Sequence, residues 1–256
     1  MLPELHIDLL ADVCWKPWTG ALEPNSMAVF RYHIQSTDQL WLHNLLVPDE
    51  QQRATRFRQL ADKERFVSGR GWLRWLIGQL TATTPQHVGL AIGPFGKPEL
   101  LAFVNEPVHW HVNVSHAGQW VLLAVGNVPV GIDVEWINPD WGYQALISSS
   151  FNAEDQGYLS ISADPRTLFY TFWTRKESLI KATGQGLTND FMDISASKGV
   201  YRAVDDRSEM ALTWQTTSFS VSAGYVGAVA YQLSEIPVRF FTLETAKSGL
   251  SAPCTD

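Results

Sequence analysis

Long hydrophobic runs, cysteines and charges are all scarce in this chain of 256 residues. No apolar stretch approaches the ~18 residues that cross a bilayer, which excludes a helical membrane span from the sequence reading. The two cysteines, Cys14 and Cys254, lie near opposite ends without the second thiol or nearby histidine that a zinc knuckle or redox pair requires. Both therefore read as free, inert thiols. Met1 to Leu10 carries Glu4, His6 and Asp8 among its leucines and has no basic n-region, so no secretory signal is expected and the location read is cytoplasmic. The 18 glycines and 13 prolines are near average usage and remove collagen-like and low-complexity readings. What is present is apolar: 45% of residues are hydrophobic against 18% charged, enough for one large core or two small ones.

The net charge of −7 argues against a nucleic-acid coat, because such proteins use excess Lys and Arg to displace counterions from phosphate. The distribution is uneven, however. Seven of the 19 basic residues (Arg53, Arg56, Arg58, Lys63, Arg65, Arg70 and Arg74) fall within residues 53 to 74, where the only acids are Asp62 and Glu64. Such a segment reads either as the solvated face of a helix or as a site for a polyphosphate ligand.

Residues 26 to 34 read as a strand, and Val47-Pro48-Asp49-Glu50 as a helix start. From Asp62 onward, Phe66, Leu73, Leu76, Ile77 and Leu80 form an apolar helical stripe flanked by Arg70 and Arg74, ending before Thr81. Trp72 and Trp75 read as core or interface aromatics. The period then changes. Val108 to Val114, Gln119 to Val125 and Val130 to Trp136 suggest an antiparallel β-meander, with a turn at Gly126-Asn127. Pro139 to Ser150 reads as loop or short helix. Asp164-Pro165 opens a second long helix with Leu168, Phe169, Phe172, Trp173, Leu179 and Ile180 as its stripe and Gly184 past its end. The remainder is strand-rich, at 201–204, 211–216, 218–222 and 225–232. Each half thus offers a long helix with strands around it, which predicts an α+β fold of two similar lobes, residues 1–127 and 128–256.

Four segments carry chemistry. In Gly131-Ile132-Asp133-Val134-Glu135 the two acids lie two apart on a strand and share a face. Paired carboxylates repel, and an oxygen-liganded cation such as Mg²⁺ relieves the repulsion; alternating acids on an exposed strand are the simpler alternative. In Trp173-Thr174-Arg175-Lys176-Glu177-Ser178-Leu179-Ile180-Lys181, Glu177 and Lys181 are four apart on a helix, either as a surface ion pair or as part of a site against the neighbouring apolar surface. Gly93-Pro94-Phe95-Gly96-Lys97-Pro98 is a turn with one lysine, of the sort that approaches a phosphate or base edge. Asn113-Val114-Ser115-His116 brings a hydroxyl and an imidazole to a strand end; it lacks the Gly-x-Ser-x-Gly elbow of a hydrolase. His109 and His111 share a strand face, and with His116 could imitate a zinc site; core or surface histidines are the simpler reading.

In order and spacing, Gly96-Lys97-Pro98, Asn113 to His116, Val130 to Glu135 and Phe172 to Lys181 resemble the signature series of the 4′-phosphopantetheinyl transferases, in particular the larger, Sfp-type members. The likeness also takes in Pro48 to Gly78 and Phe151-Asn152-Ala153-Glu154, covering roughly residues 45 to 190. The resemblance implies a monomer of two pseudo-symmetric α+β lobes, each a mostly antiparallel sheet with a long helix. Coenzyme A and Mg²⁺ would bind in the cleft between the lobes, and phosphopantetheine would pass to a serine of an apo acyl or peptidyl carrier protein. It implies Asp133, Glu135 and Glu177 as metal ligands, Glu177 or a metal-bound water as base, and Lys181 as the charge on the pyrophosphate. Lys97, Ser115 and His116, with Arg53 and Arg65, would hold the adenosine and 3′-phosphate end. Glu50 departs from the family, where a basic residue is common, and Glu154 matches a family acid tied to catalysis or carrier recognition. The other function classes are a coenzyme A-binding regulatory module that has lost catalysis and a nucleic-acid binder using residues 53 to 74. The intact four residues Asp133, Glu135, Glu177 and Lys181 argue against the first. The negative net charge argues against the second, and neither nucleic acid nor membrane is an expected partner.

Overall fold

A computed structural model describes residues 10–22, 26–93, 96–101, 109–184, 192–204, 211–232 and 236–245. Cys254 lies outside them; Cys14 is an exposed free thiol. The architecture is α+β, with two sheets packed face to face and a long helix on the outer face of each.

The first sheet contains β1 (Lys16–Pro17), β2 (Met27–His33), β5 (His111–Ala117), β6 (Trp120–Gly126) and β11 (Val238–Thr242), in the order β1-β11-β2-β6-β5. The second contains β7 (Val130–Trp136), β8 (Val200–Val204), β9 (Ala211–Ser222) and β10 (Tyr225–Gln232), in the order β7-β10-β9-β8, antiparallel throughout. A small hairpin, β3 (Leu90–Ile92) with β4 (Pro98–Leu100), stands beside β5.

Side-chain alternation explains the layering. Met27 and Val29 of β2 and Leu122 and Ala124 of β6 point inward, where they meet Val130, Ile132, Val134, Phe219 and Val229 of the second sheet. Ala28, Phe30, Tyr32, Val121, Leu123 and Val125 point the other way, into a core completed by Trp72, Leu73, Leu76 and Ile77 of α3 (Leu60–Leu80). Two short helices, α1 (Gln39–Asn44) and α2 (Pro48–Thr55), pack on α3. The second long helix, α6 (Pro165–Thr183), lies on β7 and β10. It starts where the Asp164 carboxylate accepts from the Thr167 N–H, and it stops at Gly184, whose φ of 71° is one that a side chain would disfavour. Beside it lie α4 (Gln144–Ser150) and α5 (Ala153–Ile161); Phe151 between them and Tyr158 and Leu159 of α5 join a satellite core around Phe169 and Phe172.

The fold departs from the sequence reading in three places. The expected three-stranded meander is broken: β5 and β6 pair, but β7 pairs with β10 in the other sheet. The inward faces of both sheets are apolar, so moving β7 across buries Val130, Ile132 and Val134 between them. The two strands expected at 211–216 and 218–222 form one, β9. Third, Val238 to Thr242 returns from the end of the chain and pairs in parallel with β2, a long-range partnership without a local signature.

Candidate active site

The sheets meet edge to edge where β5 passes β7. The Ile132 N–H donates to the Asn113 side-chain oxygen at 2.8 Å, and the Ser115 hydroxyl donates to Asp133 Oδ1 at 2.9 Å. At the same level β7 lies directly on α6. A Cβ on Gly131 would sit 2.0 Å from the Ser178 carbonyl oxygen and 2.4 Å from the Ala182 nitrogen, so only glycine allows this approach. Because residues two apart share a strand face, Gly131 at the contact places Asp133 and Glu135 toward the same helix.

The helix answers with Glu177 and Lys181, one turn apart. Of the two readings of Glu177 and Lys181, the surface ion pair within α6 is not formed: the Lys181 ammonium reaches across to Asp133 Oδ1 at 2.6 Å and to the Ser115 hydroxyl at 3.2 Å. Asp133 is 4% exposed, and its second oxygen, Oδ2, is buried with no hydrogen-bond partner. Burial pushes the Glu135 carboxyl up to about 7, helped by the neighbouring Asp133 and Glu177 charges and opposed by Lys181. Burial and the Asp133 charge push Glu177 up as well. One ammonium thus faces three carboxylates. They line a common cavity of about 430 Å³ together with Ser115, His116 and Trp173. Among the described residues they do not form a closed cage of three ligands. The orphaned Asp133 Oδ2 and the excess negative charge nevertheless fit a hard cation with oxygen ligands.

A second cavity of about 590 Å³ adjoins the first, sharing His116, Glu135 and Trp173. Its far side combines Asp62 and Arg65 of α3 with an aromatic wall of Trp136, Trp141, Phe169 and Tyr170. Arg65 is fixed there by Asp62 at 2.5 Å and by the Gly118 carbonyl at 3.1 Å.

Ser115, His116, Asp133, Glu135, Glu177, Lys181 and Arg65 are therefore gathered along one cleft. Arg53 and Lys97 are engaged elsewhere: the Arg53 guanidinium lies over the Phe66 ring at 5.1 Å, and the Lys97 ammonium donates to the Lys181 carbonyl at 2.6 Å and the Val130 carbonyl at 3.3 Å. The basic segment is not a uniform surface. Arg74 is 3% exposed, held by both Glu50 oxygens at 2.6 and 3.0 Å and by the Pro85 and Val88 carbonyls, and Arg70 pairs with Glu50 at 3.5 Å. Glu50, which departs from the family pattern, is thus an internal counter-ion. Glu154 pairs with Lys198 at 3.2 Å at the surface, two residues after Asn152, whose side-chain oxygen caps α5 by accepting from the Asp155 N–H. The sequence reading did not single out Asn113, although its place on the same strand face as Ser115 is a signal that could have marked it; the aromatic wall had no comparable signal.

Residues 34–127 match the family model described as 4′-phosphopantetheinyl transferase, N-terminal, and residues 129–230 that of the 4′-phosphopantetheinyl transferase superfamily. The 4′-phosphopantetheinyl transferase psf-1 of Bacillus pumilus is 34% identical over 56% of this chain and 60% of its own length. For the 4′-phosphopantetheinyl transferase HetI of a Nostoc strain the values are 32%, 56% and 61%, and for Sfp of Bacillus subtilis 28%, 57% and 63%. The chain spans about three fifths of the length of these relatives. With two matches that together run from residue 34 to 230 over the seam just described, the chain belongs to the 4′-phosphopantetheinyl transferase superfamily.

Proposed function

We propose that this protein transfers the 4′-phosphopantetheine group of coenzyme A to a serine of an apo acyl or peptidyl carrier protein, releasing adenosine 3′,5′-bisphosphate. One observation carries the reading: Asp133, Glu135, Glu177 and Lys181 share a cavity with Ser115 and His116 at the seam of the two sheets. With residues 1–127 and 128–256 taken as the two lobes, coenzyme A lies between them, its adenosine and 3′-phosphate end toward Ser115, His116 and Arg65. The backbone of the Gly96-Lys97-Pro98 turn completes that end. The pantetheine arm follows the aromatic wall, which suits its apolar and amide groups.

Asp133, Glu135 and Glu177 would hold a Mg²⁺ ion, which would supply charge neutralisation at the pyrophosphate. The Glu177 carboxylate is the base that takes the proton of the carrier serine. The serine oxygen forms a bond to the phosphorus that bears the pantetheine arm as the bond to the bisphosphate breaks. Lys181 leaves Asp133 to offset charge growing on that leaving group, where a positioned cation lowers the barrier most. The protein acts as a monomer in the cytoplasm, where coenzyme A and carrier proteins meet. Mass spectrometry of purified apo carriers, incubated with the protein, coenzyme A and Mg²⁺, tests the assignment. A gain of one phosphopantetheine per carrier is expected. No gain on fatty-acid, polyketide or peptide-synthesis carriers would refute it.

A further inference from the structure

Lys97 lies in the turn joining β3 to β4, beside the first sheet, yet its ammonium donates to two backbone carbonyls of the other half of the chain. One belongs to Lys181. α6 ends at Thr183, so no i+4 donor within the helix reaches the Lys181 carbonyl. A cation at a helix C-terminus is also favoured by the helix dipole. The other carbonyl belongs to Val130, the first residue of β7, next to Gly131 where strand and helix touch. The turn is itself tight, with the Gly93 N–H donating to the Lys97 carbonyl at 2.8 Å. Lys97 therefore joins the hairpin, the last turn of α6 and the start of β7. Those last two elements carry Lys181 and Asp133.

We infer that Lys97 is a positioning residue for the transfer reaction: its ammonium caps the last turn of α6 and thereby holds Lys181 in register with Asp133. The inference rests on the proposed activity but assigns the ammonium a different task from its turn. A side chain already spanning two carbonyls at 2.6 and 3.3 Å is not free to neutralise a ligand phosphate. Burial pushes the Lys97 ammonium down to about 8, with the Glu99 charge opposing the shift. Removing it takes the Lys97 donor from the Lys181 carbonyl and loosens the turn that aims the Lys181 side chain.

The test compares the wild type with Lys97→Met, Lys181→Met and the double variant, in single-turnover transfer at saturating coenzyme A, with coenzyme A affinity measured by calorimetry. Lys97→Met should slow transfer ~10-fold and change coenzyme A affinity less than twofold. The double variant should be no slower than Lys181→Met alone, because both changes act through one ammonium. Multiplicative rate losses, or a tenfold loss of affinity at an unchanged rate, would overturn the inference. Should Lys97→Met not fold, Lys97→Gln, whose shorter side chain falls short of the Lys181 carbonyl and carries no charge, is judged by the same criteria. Amide hydrogen exchange gives a readout independent of activity: protection at Ala182 to Gly184 should drop ~10-fold in the Lys97 variant while the middle of α6 is unaffected. A wild type that transfers nothing overturns the functional reading, and exchange then decides the capping role alone, with unchanged protection counting against it.

Discussion

Replacing Glu135 by Gln should stabilise the metal-free protein at pH 8 and abolish part of its pH dependence. The Glu135 carboxyl is raised from 4.5 to about 7, first by burial and then by Asp133 and Glu177. A carboxyl raised on folding makes the folded chain bind more protons than the unfolded one between those two values. Stability is therefore full below pH 4.5, falls as pH rises toward 7, and is flat above it. The difference between 4.5 and about 7 corresponds to at most ~3 kcal/mol, and partial exposure of the side chain brings it nearer ~2 kcal/mol. Glutamine has nearly the same shape and no charge, so the variant avoids that loss. For a chain of this size ~2 kcal/mol moves the melting temperature by roughly 4 to 8 °C. Thermal unfolding in chelator, followed by circular dichroism from pH 4.5 to 8.5, should show the two proteins close together at the acid end and the variant melting ~4 °C or more higher at pH 8. Parallel curves across the whole range, or a variant less stable at pH 8, would refute the electrostatic account of the seam.

Lys181→Met removes the one ammonium paired with Asp133, so the metal-free variant should lose ~2 to 3 kcal/mol in urea unfolding at pH 7 and bind Mn²⁺ more tightly than the wild type by electron paramagnetic resonance. Equal Mn²⁺ affinity would show that the ammonium does not compete for the carboxylates. Glu177→Gln should lower single-turnover transfer ~10²-fold while coenzyme A still binds in calorimetry. Glu50→Gln strands the buried Arg74 and should cost ~3 kcal/mol in urea unfolding, whereas a solvated role for the basic segment predicts almost no change. Gly131→Ala should give no folded protein in circular dichroism, because its methyl group would overlap the α6 backbone.

Much of this protein was legible in the sequence because its signals are local. The period of α6, its Asp164 cap and its Gly184 stop are set by neighbours in the chain, and the helix spans Pro165 to Thr183 as that pattern requires. The shared face of Asp133 and Glu135 follows from strand geometry alone, and the family resemblance follows from the order of short motifs. The tertiary structure decided what depends on partners far away in the chain. Glu177 and Lys181 are four apart, yet Lys181 pairs with Asp133, because Gly131 lets β7 lie against the helix and the lower-dielectric seam favours a fully buried carboxylate over a partly buried one. Seven basic residues in one segment looked alike on the page, but Arg74 faces inward to Glu50 while Arg65 faces the cleft, a division set by which side of α3 meets the core. The Lys97 ammonium took two carbonyls near α6 and β7, which no spacing in its own motif could announce. Sequence determined which groups were available, and the packing of the two sheets, with β5 and β7 meeting at their edges, determined which of them meet.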